Sequence, residues 1–149
     1  MTAVDNSHKR ALLEELGADV VLDHTRQQAT RTGRTYDLIL DLAAYRSVLG
    51  YRHSLAPGGR YRVVGGAMSA LLQAATVGRL YSLMSDSDIG VLVVRTSAEA
   101  LQTAVDLVTA GVMKPVIDTV YPLDEVREAP RHHGECRARG KVVISVGNG

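Results

Sequence analysis

The sequence predicts an α/β fold in which a mostly parallel sheet is flanked by helices. Short apolar or β-branched runs alternate with segments of helical periodicity, which is the rhythm of β-α-β units. Length and composition agree with one globular domain, because 149 residues carry 46% hydrophobic residues and a net charge of only +1. The predicted strands are Thr2–Val4, Val20–Leu22, Leu38–Leu40, Tyr61–Val64, Val91–Val94, Val116–Val120 and Val142–Val146.

Local signals delimit the elements between these strands. Ser7 is placed to cap a first helix, and Gly17 to end it. The segment Leu55–Gly59 contains a Pro-Gly turn directly before a strand, and Gly65-Gly66 follows that strand. We therefore expect both ends of the fourth strand to be sharply defined.

The clearest helix follows Thr96-Ser97-Ala98-Glu99, which has the pattern of a capping box. One helical face then collects apolar residues, and Gly111 ends the helix. These apolar residues are Leu101, Ala104, Val105 and Val108. No repeat or linker interrupts the chain, so we expect residues 1–149 to form a single domain.

Composition excludes several classes of partner. Lys+Arg and Asp+Glu number 17 and 16, so no basic surface for nucleic acid or an anionic membrane is expected. The apolar stretches around Ala70–Val77 and Ile89–Val94 are far shorter than the roughly 20 residues that span a bilayer. The single cysteine and the charged residues near Met1 predict a cytoplasmic protein without a disulfide or a signal peptide.

Taken in order, several stretches resemble the C-terminal half of the medium-chain dehydrogenase/reductase superfamily, which includes zinc alcohol dehydrogenases and quinone oxidoreductases. The resemblance covers nearly the whole chain. It implies an incomplete Rossmann-like fold, with a C-terminal tail from about residue 116 to 149. The stretches are Thr2–Asp5, Leu16–Asp19, Tyr36–Asp41, Leu55–Gly59, Lys114–Asp118, Tyr121–Leu123 and Ala138–Ile144.

In that superfamily a catalytic domain precedes the first Rossmann strand and its glycine-rich phosphate turn. This sequence contains no G-x-G-x-x-G before a helix. We therefore expect the chain to begin at the second strand of the fold. Because the first strand is central in the order 3-2-1-4-5-6, its neighbours would lose their shared partner.

Three arrangements then remain open. The two neighbouring strands close against each other, another copy supplies a strand, or a separate polypeptide carrying the N-terminal half completes the fold. Unpaired backbone in a sheet centre is costly, so we expect a homo-oligomer, most simply a dimer.

The resemblance implies a nicotinamide cofactor. Asp5 ends the first strand where members that use NAD place a carboxylate on the adenosine ribose, so NAD is favoured over NADP. Arg10 resembles the basic residue that often flanks that ribose. The plainer interpretation is that Asp5 belongs to a polar turn before a helix and Arg10 is a solvated helix charge.

Two strand ends resemble the segments that line the nicotinamide pocket. Leu42 and Ala43 follow one strand, and Val64, Gly65 and Gly66 follow the next. Tight turns that need small residues explain them equally well. Arg139 resembles a basic residue of the closing motif that reaches the cofactor, although an exposed ion pair is the simpler role.

No metal site or catalytic group is evident. His132, His133 and Cys136 make a poor zinc site, because no fourth ligand lies nearby in sequence. His24 and His53 lack a nucleophilic partner and are expected at the surface. The six tyrosines are expected to be half-buried, with hydroxyls that reach solvent.

Two functions follow from this sequence. The first is an oxidoreductase that moves hydride between NAD or NADP and a small carbonyl, enone or quinone substrate, once a partner chain completes it. The second is a remnant without redox activity, either a binding or assembly module or a redox-neutral enzyme. A fold by itself does not decide between them.

Overall fold

The computed structural model describes residues 1–94, 96–135 and 138–147. Their strands are β1 (Thr2–Asp5), β2 (Val20–Asp23), β3 (Tyr36–Asp41), β4 (Leu55–Val63), β5 (Asp88–Val91), β6 (Ile117–Pro122) and β7 (Lys141–Ser145). Their α-helices are α1 (Arg10–Glu15), α2 (Met68–Gln73), α3 (Arg79–Met84), α4 (Ala98–Thr109) and α5 (Glu128–Gly134). Each strand pair is parallel, which confirms the predicted α/β class.

The chain divides into two compact units. The first unit comprises Met1–Arg10 and Gly17–Arg95, and the second comprises Ala11–Leu16 and Thr96–Gly149. Strands β1 to β5 belong to the first unit, and β6 and β7 belong to the second. The predicted single-domain organisation stays a prediction. Among the described residues, no helix has the length and apolar character needed to cross a bilayer.

The core of the first unit lies on one face of β4. Tyr61 and Val63 point into it and are completely buried, and Ile89 of β5 is buried beside them. Arg60 and Arg62 alternate with these residues and face away, as the period of two in a strand requires. The core is completed by Ala44, Val48, Leu55, Ala70 and Ala74.

A helical segment approaches β5 closely through a glycine. Helices α2 and α3 are joined by a π turn, Ala74–Gly78. A Cβ on Gly78 would lie 2.6 Å from Cγ2 of Ile89, so only glycine permits this distance. Ser82 of α3 then accepts a hydrogen bond from the Ile89 amide at 2.8 Å. The helix is thus anchored to the strand by packing and by a side-chain hydrogen bond.

The predicted Pro-Gly turn lies inside β4 rather than before it. Tyr36 of β3 pairs with Leu55, but Leu38 pairs with Arg60, so extra residues of β4 form an irregularity between them. Gly58 has a φ of 73°, a conformation that favours glycine. The sequence thus predicted the turn at Gly58 correctly. The pairing of β3 with β4 continues on both sides of it.

The bounds predicted for the fifth strand were wrong. The strand covers Asp88–Val91, whereas the sequence indicated Val91–Val94. Its partner β4 ends at Val63, and the last backbone bond between them runs from the Leu92 amide to the Val63 carbonyl at 2.8 Å. Residues beyond Leu92 therefore have no residue of β4 with which to pair.

The sheet of the first unit is interrupted between β1 and β3. Strand β1 pairs with β2, and β3, β4 and β5 form a separate sheet in that order. No strand pairing joins β1 to β3 in the described part of the chain. Of the three arrangements predicted, closure of these strands against each other is therefore not the one observed.

The second unit contains the β6–β7 pair with α4 and α5. Helix α4 is capped by Ser97, whose Oγ accepts from the Ala100 amide at 3.1 Å, and not by Thr96 as the capping-box pattern indicated. Gly111 ends this helix at a φ of 70°, as predicted. The predicted apolar face is largely exposed, including Leu101 and Val105.

A polar pair ties α5 to β6. Nε2 of His132 lies 2.6 Å from Oδ2 of Asp118, and both side chains are largely buried. Asp118 also accepts hydrogen bonds from the Thr119 hydroxyl and the Arg139 main chain. The hydrogen bond from His132 is the main cause that holds the pKa of Asp118 below its ordinary value. The folded state therefore favours the ionised carboxylate.

We predict that Asp118→Ala lowers the denaturant midpoint of the chain near pH 6. Because the folded-state pKa is depressed, the carboxylate's stabilisation is present above the unfolded-state pKa of about 3.9. It is lost as the pH falls through the lower folded-state pKa. Denaturant titrations of the wild type and Asp118→Ala should show a smaller difference in midpoint in strong acid than at pH 6. Asp124→Ala, at an exposed aspartate of the same unit, is the control, and equal effects of the two variants would contradict the prediction.

Candidate functional site

The carboxyl ends of β3 and β4 are joined by main-chain hydrogen bonds. The Val64 amide donates to the Asp41 carbonyl at 2.9 Å, and the Ala44 amide donates to the Gly65 carbonyl at 2.9 Å. The Ala67 amide then donates to the Ala44 carbonyl at 2.8 Å. The two predicted pocket segments, Leu42–Ala43 and Val64–Gly66, are therefore brought together as one surface.

Close backbone approach explains the glycines of this surface. Gly66 has a φ of 124°, and a Cβ there would lie 2.3 Å from the carbonyl oxygen of Ala44. A Cβ on Gly65 would lie 3.1 Å from the carbonyl oxygen of Leu42. At Gly66, the backbone conformation and these close contacts account for the glycine by themselves, as the tight-turn interpretation expects. Leu42 and Val64 remain exposed beside them, so the surface is apolar and open.

A polar cluster that the sequence analysis missed lies under this surface. The Tyr61 hydroxyl donates to Oδ2 of Asp41 at 2.8 Å, and the Tyr51 ring stacks on Tyr61 with centroids 4.8 Å apart. Asp41 Oδ1 also accepts from the Ala43 amide at 3.3 Å. The carboxylate therefore links the buried tyrosine to the turn that carries Leu42.

Burial is the largest cause that raises the pKa of Tyr61 above its ordinary range, followed by the hydrogen bond to Asp41. The pKa of Tyr51 is raised for the same first reason. Both hydroxyls stay protonated and act as donors. The expectation of half-buried tyrosines was wrong for Tyr61, and its alternation with Arg60 and Arg62 was the signal that it faces the core.

Asp5 lies at the carboxyl end of β1, in the same unit but in the other sheet. Its Oδ1 accepts from the Asn6 amide at 2.7 Å, and its Oδ2 lies 3.5 Å from Nζ of Lys9. The side chain is about one-third exposed. The carboxylate is thus oriented by its own turn, with Lys9 as a charged neighbour.

The two predicted basic residues, Arg10 and Arg139, belong to different units of the chain. Arg10 is exposed at the start of α1. Arg139 belongs to the second unit, where its side chain is exposed and its main chain donates to Asp118. The cofactor contacts expected of Arg10 and Arg139 therefore stay predictions.

Two of the histidines, His53 and His132, have side-chain partners in the structure. His53 accepts a hydrogen bond from Nε of Arg52 at 3.0 Å, and the main chain of His24 donates to the Asp5 carbonyl. Asp23, next to His24, accepts hydrogen bonds from the Thr25 amide and hydroxyl. Cys136 lies outside the described residues, and the described ones contain no group of three His, Cys, Asp or Glu side chains arranged to hold a metal ion.

We predict that Tyr61→Phe destabilises the chain by about 1.5–3 kcal/mol, the range for a hydrogen bond to a charged group. The phenyl ring keeps the core packed, while Asp41 loses a donor. Chemical denaturation measures the loss. Tyr45→Phe, at an exposed tyrosine, is the matched control and should leave stability unchanged. A Tyr61→Phe protein as stable as the wild type would show that the Asp41 contact contributes nothing.

Comparison with known proteins agrees with this architecture. The sequence profile described as zinc-binding dehydrogenase matches residues 16–144. A chloroplast envelope quinone oxidoreductase homolog of Arabidopsis thaliana is 26% identical over 97% of this chain and 44% of its own length. A mitochondrial NAD(P)H oxidoreductase of Danio rerio is 25% identical over 98% of this chain and 42% of its own length. The chain thus spans less than half the length of these relatives.

Solved structures give the same result for the fold. The quinone oxidoreductase of Coxiella burnetii superimposes with a TM-score of 0.78 at 18% identity, over 98% of this chain and 44% of that one. An alcohol dehydrogenase of Sinorhizobium meliloti described as putative superimposes with a TM-score of 0.72 at 26% identity, over 97% and 43%. With residues 16–144 matched, the chain belongs to the zinc-binding dehydrogenase family and corresponds to the C-terminal half of a medium-chain dehydrogenase/reductase.

Proposed function

We propose that this chain is the nucleotide-binding part of an oxidoreductase that uses NAD or NADP and acts on a small carbonyl, enone or quinone. The observation that carries the proposal is the joined carboxyl ends of β3 and β4, where open α/β sheets bind ligands. Hydride transfer requires completion by a polypeptide that carries the phosphate-binding turn and the catalytic half. The name NAD(P)H oxidoreductase printed for the Danio rerio relative is consistent with this assignment.

The residues present fit two parts of such a cofactor. Asp5 offers a partly exposed carboxylate to the ribose hydroxyls, and its charge disfavours a 2′-phosphate, so NAD is preferred. Leu42, Ala43 and Val64 offer an apolar surface to the nicotinamide. When bound, the nicotinamide would supply the hydride chemistry, while these residues would orient the cofactor. Arg10 and Arg139 stay proposed secondary contacts, and no zinc site is proposed.

The second candidate is a module without redox activity, either for binding or assembly or as a redox-neutral enzyme. The observation that favours it is the engagement of the Asp5 carboxylate by Asn6 and Lys9 within its own turn. A carboxylate that is already partnered has less to gain from a ribose. The cytoplasm remains the proposed compartment, and no nucleic acid or membrane partner is proposed.

We predict that the purified chain binds NADH about five-fold more tightly than NADPH. This ratio of affinities corresponds to ~1 kcal/mol, the repulsion between two unit charges ~4 Å apart in water. Nicotinamide fluorescence titration measures both affinities. Asp5→Asn should remove the preference, whereas Asp37→Asn, at an exposed aspartate of β3, should preserve it. Absence of binding by either nucleotide up to about 1 mM would contradict the proposal for this chain and support the second candidate.

We also propose that the chain forms a homo-oligomer, most simply a dimer. Among the described residues, β4 is the one strand that pairs with β5, and Val93 and Val94 are exposed directly after β5. Exposed apolar edges of this kind pair with other chains. Light scattering at micromolar concentration should give twice the 16.0 kDa chain mass, and Val93→Lys should reduce it to one chain. A wild-type particle of one chain mass would contradict the proposal.

A further inference from the structure

The loop between β2 and β3 concentrates positive charge. Residues 24–35 contain three arginines, Arg26, Arg31 and Arg34, and neither aspartate nor glutamate. In the whole chain Lys+Arg and Asp+Glu number 17 and 16, so the composition of this loop departs from the average. The loop begins at the carboxyl end of a parallel strand, and ligands bind at such strand ends in α/β folds.

Main-chain hydrogen bonds shape the first part of this loop. The amides of Arg26 and Gln27 donate to the Asp23 carbonyl at 3.0 and 2.8 Å. The Arg31 amide donates to the Gln28 carbonyl at 2.9 Å and closes a short 3-10 turn. Two successive turns therefore fold the segment back on itself, so that its polar side chains border a common space.

A polar cleft of about 500 Å³ occupies this space, which is a volume typical of small-molecule sites. The cleft is named here the arginine cleft, and it is lined by Arg26, Gln27, Gln28, Arg31 and Thr32. All of these residues belong to the first unit. The Thr32 hydroxyl is used within the loop, since it donates to the Ala29 carbonyl at 3.0 Å. Two guanidinium groups and two carboxamides remain to contact a ligand.

The protein does not neutralise the guanidinium groups of the arginine cleft. Arg31 forms no ion pair within the part of the chain that the structure describes. Nε of Arg26 lies 3.6 Å from Oδ2 of Asp23, but the Arg26 side chain is 80% exposed. Hydrogen bonds from Thr25 are the main cause that lowers the pKa of Asp23, and Arg26 contributes least. Both positive charges are therefore available to an anion.

The donors of the arginine cleft match a phosphate group. The carboxamides of Gln27 and Gln28 have no hydrogen-bond partner among residues 1–94, 96–135 and 138–147. A carboxylate carries one charge and two oxygens, whereas a phosphate monoester carries nearly two charges and three terminal acceptor oxygens. Guanidinium groups donate to such oxygens in pairs. Two arginines and two carboxamides thus supply more donors than a carboxylate accepts.

We infer that the arginine cleft binds a phosphate group, carried by a small phosphorylated molecule or present as inorganic phosphate. Arg26 and Arg31 supply the opposite charge, and the two glutamines donate to terminal oxygens. The charge is confined to one loop, so the ligand is a small molecule and not a nucleic acid. The lining of the cleft includes neither Asp5 nor Leu42, so this site is additional to the contacts proposed for the nicotinamide cofactor.

The test is a titration of the full chain with inorganic phosphate, followed by proton–nitrogen NMR of the arginine Nε–H and glutamine carboxamide groups. We expect saturable shifts at Arg31 and Gln28, and weaker binding at high salt because opposite charges attract. Glycerol 3-phosphate is titrated in the same way. Tighter binding of this ester assigns the cleft to phosphorylated molecules, and the reverse order assigns it to inorganic phosphate. Absence of saturable shifts with both probes up to about 10 mM would overturn the inference.

Arg31→Gln is the decisive variant. The side chain is exposed, so the chain should fold, and phosphate binding should weaken at least about tenfold because a charged donor is lost. Arg34→Gln is the matched control, since it removes the same charge from the same loop but leaves the lining of the cleft intact. The control should change the affinity by less than about twofold, because an exposed charge contributes little. Equal losses in the two variants would show non-specific attraction to a basic loop, and the inference would be wrong.

NADH separates this inference from the proposed function. Arg31→Gln should leave NADH binding unchanged, and Asp5→Asn should leave phosphate binding unchanged. Phosphate binding by a chain that does not bind NADH would count against the proposed function alone. Displacement of phosphate by an equimolar amount of NADH would overturn the inference, because the cleft would then belong to the cofactor site.

Discussion

The register of β4 between β3 and β5 is the constraint on which the first unit depends. Leu38 pairs with Arg60 and Asp41 with Val63, while Arg60 pairs with Asp88 on the other side. A shift of one residue would turn the arginines of β4 into the core and Tyr61 to solvent. With the observed register, Arg62 instead forms an ion pair with Asp88 and lowers the pKa of that carboxyl.

The same register builds the candidate site. Because Asp41 lies opposite Val63, the residues after each strand meet and exchange main-chain hydrogen bonds. Tyr61, two residues before the end of β4, then reaches Asp41 from inside the core. A buried donor thus holds the carboxylate whose other oxygen accepts from the turn at Ala43. The shape of the apolar surface follows from hydrogen bonds in the layer beneath it.

Family membership and activity are separate conclusions for this chain. The parallel sheets and the match over residues 16–144 establish the family, while activity depends on groups at one site. Asp5 and the surface around Leu42 belong to different sheets of the same unit. The proposed cofactor contacts are therefore divided between two sheets that no strand pairing joins in the described residues.

The sequence by itself determined the fold class, the strand ends at Leu42 and Val64, and the glycine turns, because these depend on local periodicity and on backbone conformations that glycine alone adopts readily. It did not determine the pairs Tyr61–Asp41 and His132–Asp118, which join residues 20 and 14 positions apart. It also misplaced β5, whose bounds depend on where its neighbour ends. These features required the tertiary structure, because hydrogen bonds between distant segments depend on strand register, which no single segment specifies.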